Sequence, residues 1–382
     1  MTAAGDPYRT ALLDWLACAA AGVEHPAARA ARRAGDGLLE RVAAAGCAGH
    51  VLDFDDTYEP GLVHASAPAA PAALLLAAEL GLDLGAALEA FAVGWEATAA
   101  FARASHPALY ERAWHPTAVC GSVGAAVACA KLLRLDPERT SNAIALALLR
   151  AGGLRAAFGS HGKAIQVGAA AAAGLHAARL AEGGVEAPLA RIAHGVAGFE
   201  AAYGGRWQEP STGGAIGDNW IKAHPCCLAA HAPIEAAAAL PAATQKPVAV
   251  FVHPVARQAA SFDDVGDGLQ AKFSIPYLVA FTMLHGPPRV SDFDRVDEPA
   301  QALAQERVTV SVDPALGELE ARIELDRRTA SQVISPLGSP ARPMDATGLA
   351  DKVRALAGER LEGVLDDLSA PASIAIAAAG LS

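Results

Sequence analysis

Cysteine is scarce in this sequence, and no two cysteines have the spacing of a metal-binding or redox pair. The chain of 382 residues has six cysteines, of which only Cys226 and Cys227 are close together, and they are adjacent. So few cysteines are typical of reduced thiols in the cytoplasm and exclude a disulfide framework. We therefore expect a cytoplasmic protein.

Aromatic residues are also few, at 5%, although 53% of the chain is hydrophobic. The core must then be aliphatic and rich in alanine, and alanine favours helix because it loses no side-chain entropy there. This hydrophobicity excludes a disordered chain. The length favours two domains, or a large one with a small one.

Positive charge is in short supply. There are 30 lysine and arginine residues against 41 aspartate and glutamate residues, a net charge of −11. This balance argues against a general nucleic-acid binder and against attraction to anionic lipid. An anionic substrate would need a few cations concentrated in one pocket.

Long hydrophobic runs are missing as well. The most apolar stretch, residues 65–84, is interrupted by two prolines and two acidic residues, which disfavours a membrane span. The first nine residues have no basic segment followed by an apolar one, so we expect no signal peptide.

Helical periodicity runs from about residue 9 to residue 195. Asp83 and Asp136 are predicted to cap helices, and Pro137 is suited to a first helical position. A glycine- and serine-rich stretch at 204–214 is typical of a loop. Alternating segments then predict strands at 248–252, 308–312 and 319–325.

These patterns predict a mainly α fold. A large all-helical domain would span residues 1–217, with a smaller α+β domain inserted at 218–338. Residues 339–382 would return to the helical domain.

The segment from His50 to Thr57 contains one histidine and three aspartates, and His64 follows shortly after. In one interpretation Asp56 and Thr57 only cap a turn. In a second, the histidines and aspartates bind a metal such as zinc, iron or manganese. In a third, they are acid, base and positioning groups for proton transfer at carbon. The spacing does not separate the last two.

His115 precedes Pro116, which is suited to the start of a helix. The positive end of the helix dipole disfavours imidazolium there, leaving a neutral ring that could act as a base, and it attracts a carboxylate. The alternative is a surface histidine at a helix cap.

Three further motifs carry weaker signals. Lys163 lies between glycines at the start of an alanine-rich helix and could contact a substrate oxyanion, although a solvated lysine is the simpler interpretation. The segment 222–231 has two cysteines and two histidines, but their spacing is wrong for structural zinc. Tyr277, near Lys272, could donate to a carboxylate or simply be packed.

Taken in order, these motifs resemble the MmgE/PrpD family, which includes 2-methylcitrate dehydratase, cis-aconitate decarboxylase and iminodisuccinate epimerase. The resemblance covers nearly the whole chain, through LLDWLACAAAG, HVLDFDDT, HASAPAAPAALLLAAELG, WHPTAVCGSVGAAVACAKLLRL, GKAIQVGAAAAAGLHAARLA, IKAHPCCLAAHAPIEAA, AKFSIPYLVA and SPLGSPARPM. Where the family usually has HPS, this sequence has His64-Ala65-Ser66.

The resemblance implies a helical domain with a smaller α+β lid domain, a homodimer, and catalysis without metal or organic cofactor. It places the pocket at seven positions: Asp53, Thr57, His64, His115, Lys163, Tyr277 and His231. His115 is expected to transfer the proton, and Lys163 and His64 to bind carboxylates. Asp53 would orient a neighbouring histidine, while Thr57, Tyr277 and His231 would contact the substrate.

The resemblance therefore implies a cofactor-free lyase acting on a small di- or tricarboxylate, by proton transfer at a carbon next to a carboxylate. Dehydration is the first expectation, with epimerisation or decarboxylation as alternatives. A metal-dependent hydratase and an inactive helical scaffold are the rival hypotheses.

Overall fold

The computed structural model describes residues 6–209, 213–240 and 246–382. Residues 210–212 of the predicted loop lie outside this part of the chain. Helices predominate before residue 204, and they are α1 (Pro7–Gly22), α2 (Pro26–Arg33), α3 (Leu38–His50), α4 (Ser66–Glu79), α5 (Leu84–Ser105), α6 (Ala108–Glu111), α7 (Pro116–Leu132), α8 (Pro137–Leu148), α9 (Gly162–Glu182), α10 (Leu189–His194) and α11 (Phe199–Tyr203).

The later part of the chain mixes helices with strands. Its helices are α12 (His231–Ala238), α13 (Pro254–Ala259), α14 (Gly268–Ala271), α15 (Ile275–His285), α16 (Glu298–Arg307), α17 (Ala346–Ala357) and α18 (Ser373–Ala378). Its strands are β2 (Asn219–Trp220), β3 (Val248–Val252), β4 (Val308–Val312), β5 (Ala321–Leu325) and β6 (Arg328–Val333), while the short strand β1 (Thr57–Tyr58) lies between α3 and α4 in the first part.

Two main hydrophobic cores account for this arrangement. The larger one takes its buried residues from 11–216 and again from 353–381, so the C-terminal helices pack with the first ones. The smaller one is built from residues 226–323. The mainly α fold with a smaller α+β part is thus confirmed, while the boundaries at 217 and 338 stay predictions.

The α+β part contains a four-stranded sheet in the order β4-β3-β5-β6. Strands β3 and β4 are parallel, with Val250 opposite Val310, and β5 is antiparallel to β3, with Val250 opposite Ile323. Along β3 the residues Val248, Val250 and Val252 are buried, while the residues between them are half-buried. The predicted alternation at 248–252, 308–312 and 319–325 therefore corresponds to strands, the last one beginning at residue 321.

Local signals at helix starts act as predicted. The Asp83 carboxylate accepts a hydrogen bond from the backbone N–H of Ala86 at 2.8 Å, and Asp136 accepts one from Arg139 at 2.8 Å. Each carboxylate satisfies a backbone donor that the first turn leaves without a helical partner.

Small residues allow the central helices to approach closely. A Cβ atom on Gly124 of α7 would lie 1.8 Å from Thr98 Oγ1 of α5, and one on Gly174 of α9 would lie 2.4 Å from the backbone oxygen of Ser122. Helix α7 is therefore held between α5 and α9, and this packing fixes the direction of its N-terminus.

All six cysteines are buried free thiols. Among the described residues, none of the helices combines the length and the apolar character needed to cross a membrane.

Candidate active site

A small cleft lies where elements of the two cores meet. Its polar lining includes five of the seven residues predicted from the sequence: Asp53, Thr57, His64, His115 and Lys163. Apolar and aromatic side chains, among them Leu228, Val255, Phe158 and Phe273, form most of the remaining wall. The other two predicted residues do not line it.

Asp53 follows α3 and has a φ of 53°, a left-handed conformation that few residues other than glycine adopt. Its Oδ1 accepts a hydrogen bond from Lys163 Nζ at 2.8 Å and lies 3.4 Å from Lys222 Nζ. Burial alone raises the pKa of Asp53, but these two ammonium groups outweigh it and hold the pKa well below the usual range. The side chain is therefore an ionised carboxylate.

The backbone around Asp53 is held by buried lysines. Three consecutive carbonyl groups each accept a hydrogen bond from a different ammonium group: Leu52 from Lys272 at 2.9 Å, Asp53 from Lys222, and Phe54 from Lys352 at 2.8 Å. Lys222 is fully buried, and the other two are less than one tenth exposed. These bonds stabilise a conformation that would otherwise be unfavourable.

His50, the last residue of α3, links Lys163 to a second carboxylate. Its Nδ1 lies 2.9 Å from Asp55 Oδ2, and its Nε2 lies 2.8 Å from Lys163 Nζ. Because an ammonium group can only donate, Nε2 accepts and the ring proton is on Nδ1, facing Asp55. Burial lowers the pKa of His50 to about 4, so the ring is neutral.

His64 lies beside this group. Its Nδ1 is 3.3 Å from Asp55 Oδ2 and 3.4 Å from Thr57 Oγ1, and its Nε2 is 3.7 Å from Asp53 Oδ1. The backbone N–H of His64 donates to Thr117 Oγ1 in the first turn of α7 at 3.1 Å. The loop that carries His64 is thus tied to the start of the helix that follows His115.

His115 is the N-cap residue of α7, directly before Pro116, as predicted. Burial and the nearby Lys163 ammonium hold the pKa of His115 well below its usual range. Its Nδ1 lies 2.7 Å from the amide nitrogen of Gln166 on α9. The neutral ring expected from the sequence is therefore supported, mainly through burial.

Tyr277 and His231 lie in packed surroundings away from the cleft. The Tyr277 hydroxyl accepts a hydrogen bond from the backbone N–H of Asp297 at 3.0 Å, and the ring belongs to the smaller core. His231 begins α12, with Nε2 3.1 Å from the backbone oxygen of His224 and its ring edge against Trp220. In this arrangement neither side chain lines the cleft.

One set of potential metal ligands occurs among the described residues, formed by His50, Asp53 and His64. The ammonium group of Lys163 already lies within 2.8 Å of both His50 Nε2 and Asp53 Oδ1. A cation bound by those two atoms would meet this positive charge at close range. The donor set therefore fits an internal ion-pair network better than a metal site.

Several residues of this network have no role predicted from the sequence. Lys222, Lys272 and Lys352 reach the segment 52–54 from positions far along the chain, and Gln166 appears as one polar residue in an alanine-rich helix. His50 and Asp55 lie within the predicted cluster, although the sequence does not separate them from their neighbours.

Ammonium, carboxylate and imidazole groups that meet at one buried cleft of a mainly helical protein are groups that enzymes use for general acid–base chemistry. The MmgE/PrpD N-terminal domain matches residues 39–210, and the MmgE/PrpD C-terminal domain matches residues 224–368. The chain belongs to the MmgE/PrpD family.

Several relatives are cis-aconitate decarboxylases. The Aspergillus terreus protein is 31% identical over 203 residues, which cover 48% of this chain and 41% of the relative. The Homo sapiens protein is 34% identical over 168 residues, covering 41% of this chain and 34% of the relative. The Mus musculus protein is 33% identical over 210 residues, which cover 51% of this chain and 42% of the relative. The matched segments thus span less than half the length of these relatives.

Proposed function

We propose that the protein is a lyase that decarboxylates a small unsaturated tricarboxylate of the cis-aconitate type without a metal or organic cofactor. The observation that carries the proposal is the meeting of Lys163, His115 and the ionised Asp53 at one buried and mainly apolar cleft. The similarity to cis-aconitate decarboxylases supports decarboxylation above dehydration, the reaction first expected from the sequence.

Binding of an anion rests on Lys163. Its ammonium group donates to His50 and Asp53, and a third N–H remains for a substrate carboxylate. Lys222 and Lys272 add positive charge behind Asp53. This is the local concentration of cations that an anionic substrate requires in a chain of net charge −11.

Loss of carbon dioxide is favoured by the rest of the wall. A carboxylate held against Phe158 and Phe273 loses its hydration and is destabilised. Carbon dioxide is uncharged, so the same apolar surroundings do not destabilise it. The breaking bond leaves its electron pair on carbon, and the pair is delocalised across the neighbouring double bond into the carboxylate at its far end. N–H groups of Lys163 and His115 stabilise that charge, one end of the delocalised carbanion takes a proton from one of them, and water restores the donor.

Dehydration is the second candidate, and one observation favours it. Asp53 Oδ2 is buried and has no hydrogen-bond partner among the described residues. This ionised carboxylate, which lines the cleft, is the group that would remove a proton from a carbon next to a substrate carboxylate, although its lowered pKa makes it a weak base for that step.

The two reactions are separated by NMR in heavy water with cis-aconitate, citrate and aspartate-type acids as substrates. We expect carbon dioxide and a product that carries one solvent deuteron at one of the two carbons that shared the carbanion charge. Loss of water from citrate without carbon dioxide would support dehydration instead. No conversion and no deuterium exchange with any acid would contradict both. Lys163→Met should be inactive, while Lys131→Met, at an exposed ion pair, is the matched control.

We also propose a cytoplasmic homodimer, in line with the free thiols and the family resemblance. Light scattering on the purified protein tests the dimer, because a mass of about 39 kDa instead of twice that value would contradict it.

A further inference from the structure

The side chain of Gln166 is held in one orientation by the backbone of Leu154. Its Oε1 accepts a hydrogen bond from the Leu154 N–H at 3.0 Å, and its Nε2 donates to the Leu154 carbonyl oxygen at 3.2 Å. Reversing the amide would place two donors together and two acceptors together, at the cost of both bonds. The NH₂ group of Gln166 is therefore the one that faces His115.

This orientation determines which nitrogen of His115 carries the proton. Gln166 Nε2 lies 2.7 Å from His115 Nδ1, and an amide NH₂ can only donate, so Nδ1 must accept. A neutral imidazole whose Nδ1 accepts has its proton on Nε2. Burial and Lys163 keep the ring neutral by lowering its pKa.

The Nε2 edge has no competing protein partner. His115 lines the cleft, its ring stacks on His50 at 6.0 Å between centroids, and it meets the edge of Phe158 at 5.0 Å. Within the part of the chain that the structure describes, no hydrogen bond to Nε2 is formed. The N–H is thus free for a bound molecule.

We propose that Gln166 is a positioning residue that fixes the proton of His115 on Nε2, so that His115 meets the substrate as a hydrogen donor and not as a base. The inference rests on the proposed function and deepens it. It replaces the expectation from the sequence that His115 could act as a base. It also implies that any proton abstraction at this site falls to another group, for which Asp53 is placed.

The tautomer is measured directly by NMR of the full-length protein labelled with ¹⁵N-histidine, with the His115 signals assigned by their loss in His115→Asn. We expect a protonated, pyrrole-type signal for Nε2 and an unprotonated, pyridine-type signal for Nδ1. The reverse pattern in the unmodified protein would overturn the inference without any variant.

Gln166→Glu tests the cause. A carboxylate at this position accepts a hydrogen bond from Nδ1, so the proton of His115 should move from Nε2 to Nδ1. We expect kcat to fall by at least about 10-fold and KM to change little. The upper limit is the roughly 10⁴-fold loss of kcat that a wrong histidine tautomer causes in serine proteases. Gln166→Met should leave a mixture of tautomers, and Gln258→Glu, which is exposed, is the control for added charge. An unchanged His115 pattern in both Gln166 variants would refute the role of Gln166.

Failure of this inference is distinguishable from failure of the proposed function. The ring nitrogen signals require no turnover. If Nε2 carries the proton but no acid is decarboxylated, the proposed function is wrong and the positioning by Gln166 stands. If decarboxylation occurs with the proton on Nδ1, the proposed function stands and the positioning by Gln166 is wrong.

Discussion

Replacing Lys352 should reveal how strongly the buried lysines hold the segment that carries Asp53. Lys352 lies 2.7 Å from the fully buried Asp14 carboxylate and donates to the carbonyl oxygens of Phe54 at 2.8 Å and Lys222 at 3.0 Å. Lys352→Met keeps the length of the side chain and removes these three contacts. It tests stability away from the cleft, because Lys352 does not line it.

The expected loss follows from what remains buried. Removing one partner of a buried ion pair costs about 3–5 kcal/mol because the other charge is left without compensation. Burial already raises the pKa of Asp14 against the opposing effect of Lys352, so Asp14 will take up a proton and limit this cost. Each carbonyl left without a donor adds about 1–3 kcal/mol. Together these losses should lower the free energy of unfolding by at least about 3 kcal/mol.

A second substitution separates the two contributions. Adding Asp14→Leu to Lys352→Met removes the stranded carboxyl group and should recover part of the stability, because an apolar pair can replace a buried ion pair. The carbonyl oxygens of Phe54 and Lys222 still lack their donor, so recovery should stop at least about 1 kcal/mol short of the parent protein. Full recovery would show that Lys352 serves only Asp14.

The assay is urea unfolding followed by circular dichroism and tryptophan fluorescence, since the two cores can unfold in separate steps. Lys131→Met is the control, because the Lys131–Glu89 pair is exposed and its loss should cost no more than about 1 kcal/mol. If Lys352→Met costs as little as Lys131→Met, the idea that buried lysines hold this segment is wrong.

Three further outcomes are expected. Burial raises the pKa of Asp56 from 3.8 to about 7, so the folded protein keeps a proton that the unfolded chain loses. As the pH rises from 4 to 7, the stability of the parent relative to Asp56→Asn should therefore fall by on the order of 4 kcal/mol. Equal pH dependence of the two proteins in urea unfolding would contradict this. Gly168→Ala should lower the free energy of unfolding by roughly 1–3 kcal/mol, because the added Cβ would lie 2.1 Å from the Ala43 backbone oxygen. Gly152→Ala, where the Cβ would meet open space, should leave it nearly unchanged in the same assay. Dialysis against EDTA should leave activity and Tm unchanged, because the Lys163 ammonium fills the space between the potential ligands; a stoichiometric metal lost together with activity would refute this.

Features set by local chemistry were predictable from the sequence. Pro116 and the capping residues Asp83 and Asp136 mark helix starts because they act on the first turn that follows them. The alternation at 248–252 predicts a strand because one face of the sheet is buried. The motifs shared with the family predicted seven residues for the site, and five of them line the cleft.

The remaining features depend on contacts between distant parts of the chain. Lys352 reaches Phe54 across 298 residues, and no local pattern records such a pair. Tyr277 and His231 lie in conspicuous motifs and were predicted for the site, but their side chains are packed away from the cleft. Gln166 matters only through the exact pairing of its amide with Leu154, which depends on how α9 meets the loop before it.

We propose that the cleft removes a carboxyl group and that the resulting carbanion takes up a proton, with Lys163 and His115 acting in different ways. The most direct measurement is the release of labelled carbon dioxide from ¹³C-carboxyl cis-aconitate in heavy water, with deuterium in the product counted in the same sample. We expect one deuterium for each carbon dioxide. In His115→Asn the rate should fall by on the order of 10²–10⁴ while binding persists, whereas in Lys163→Met binding itself should weaken. Release at the parent rate in both variants, or no release by the parent protein, would contradict the account.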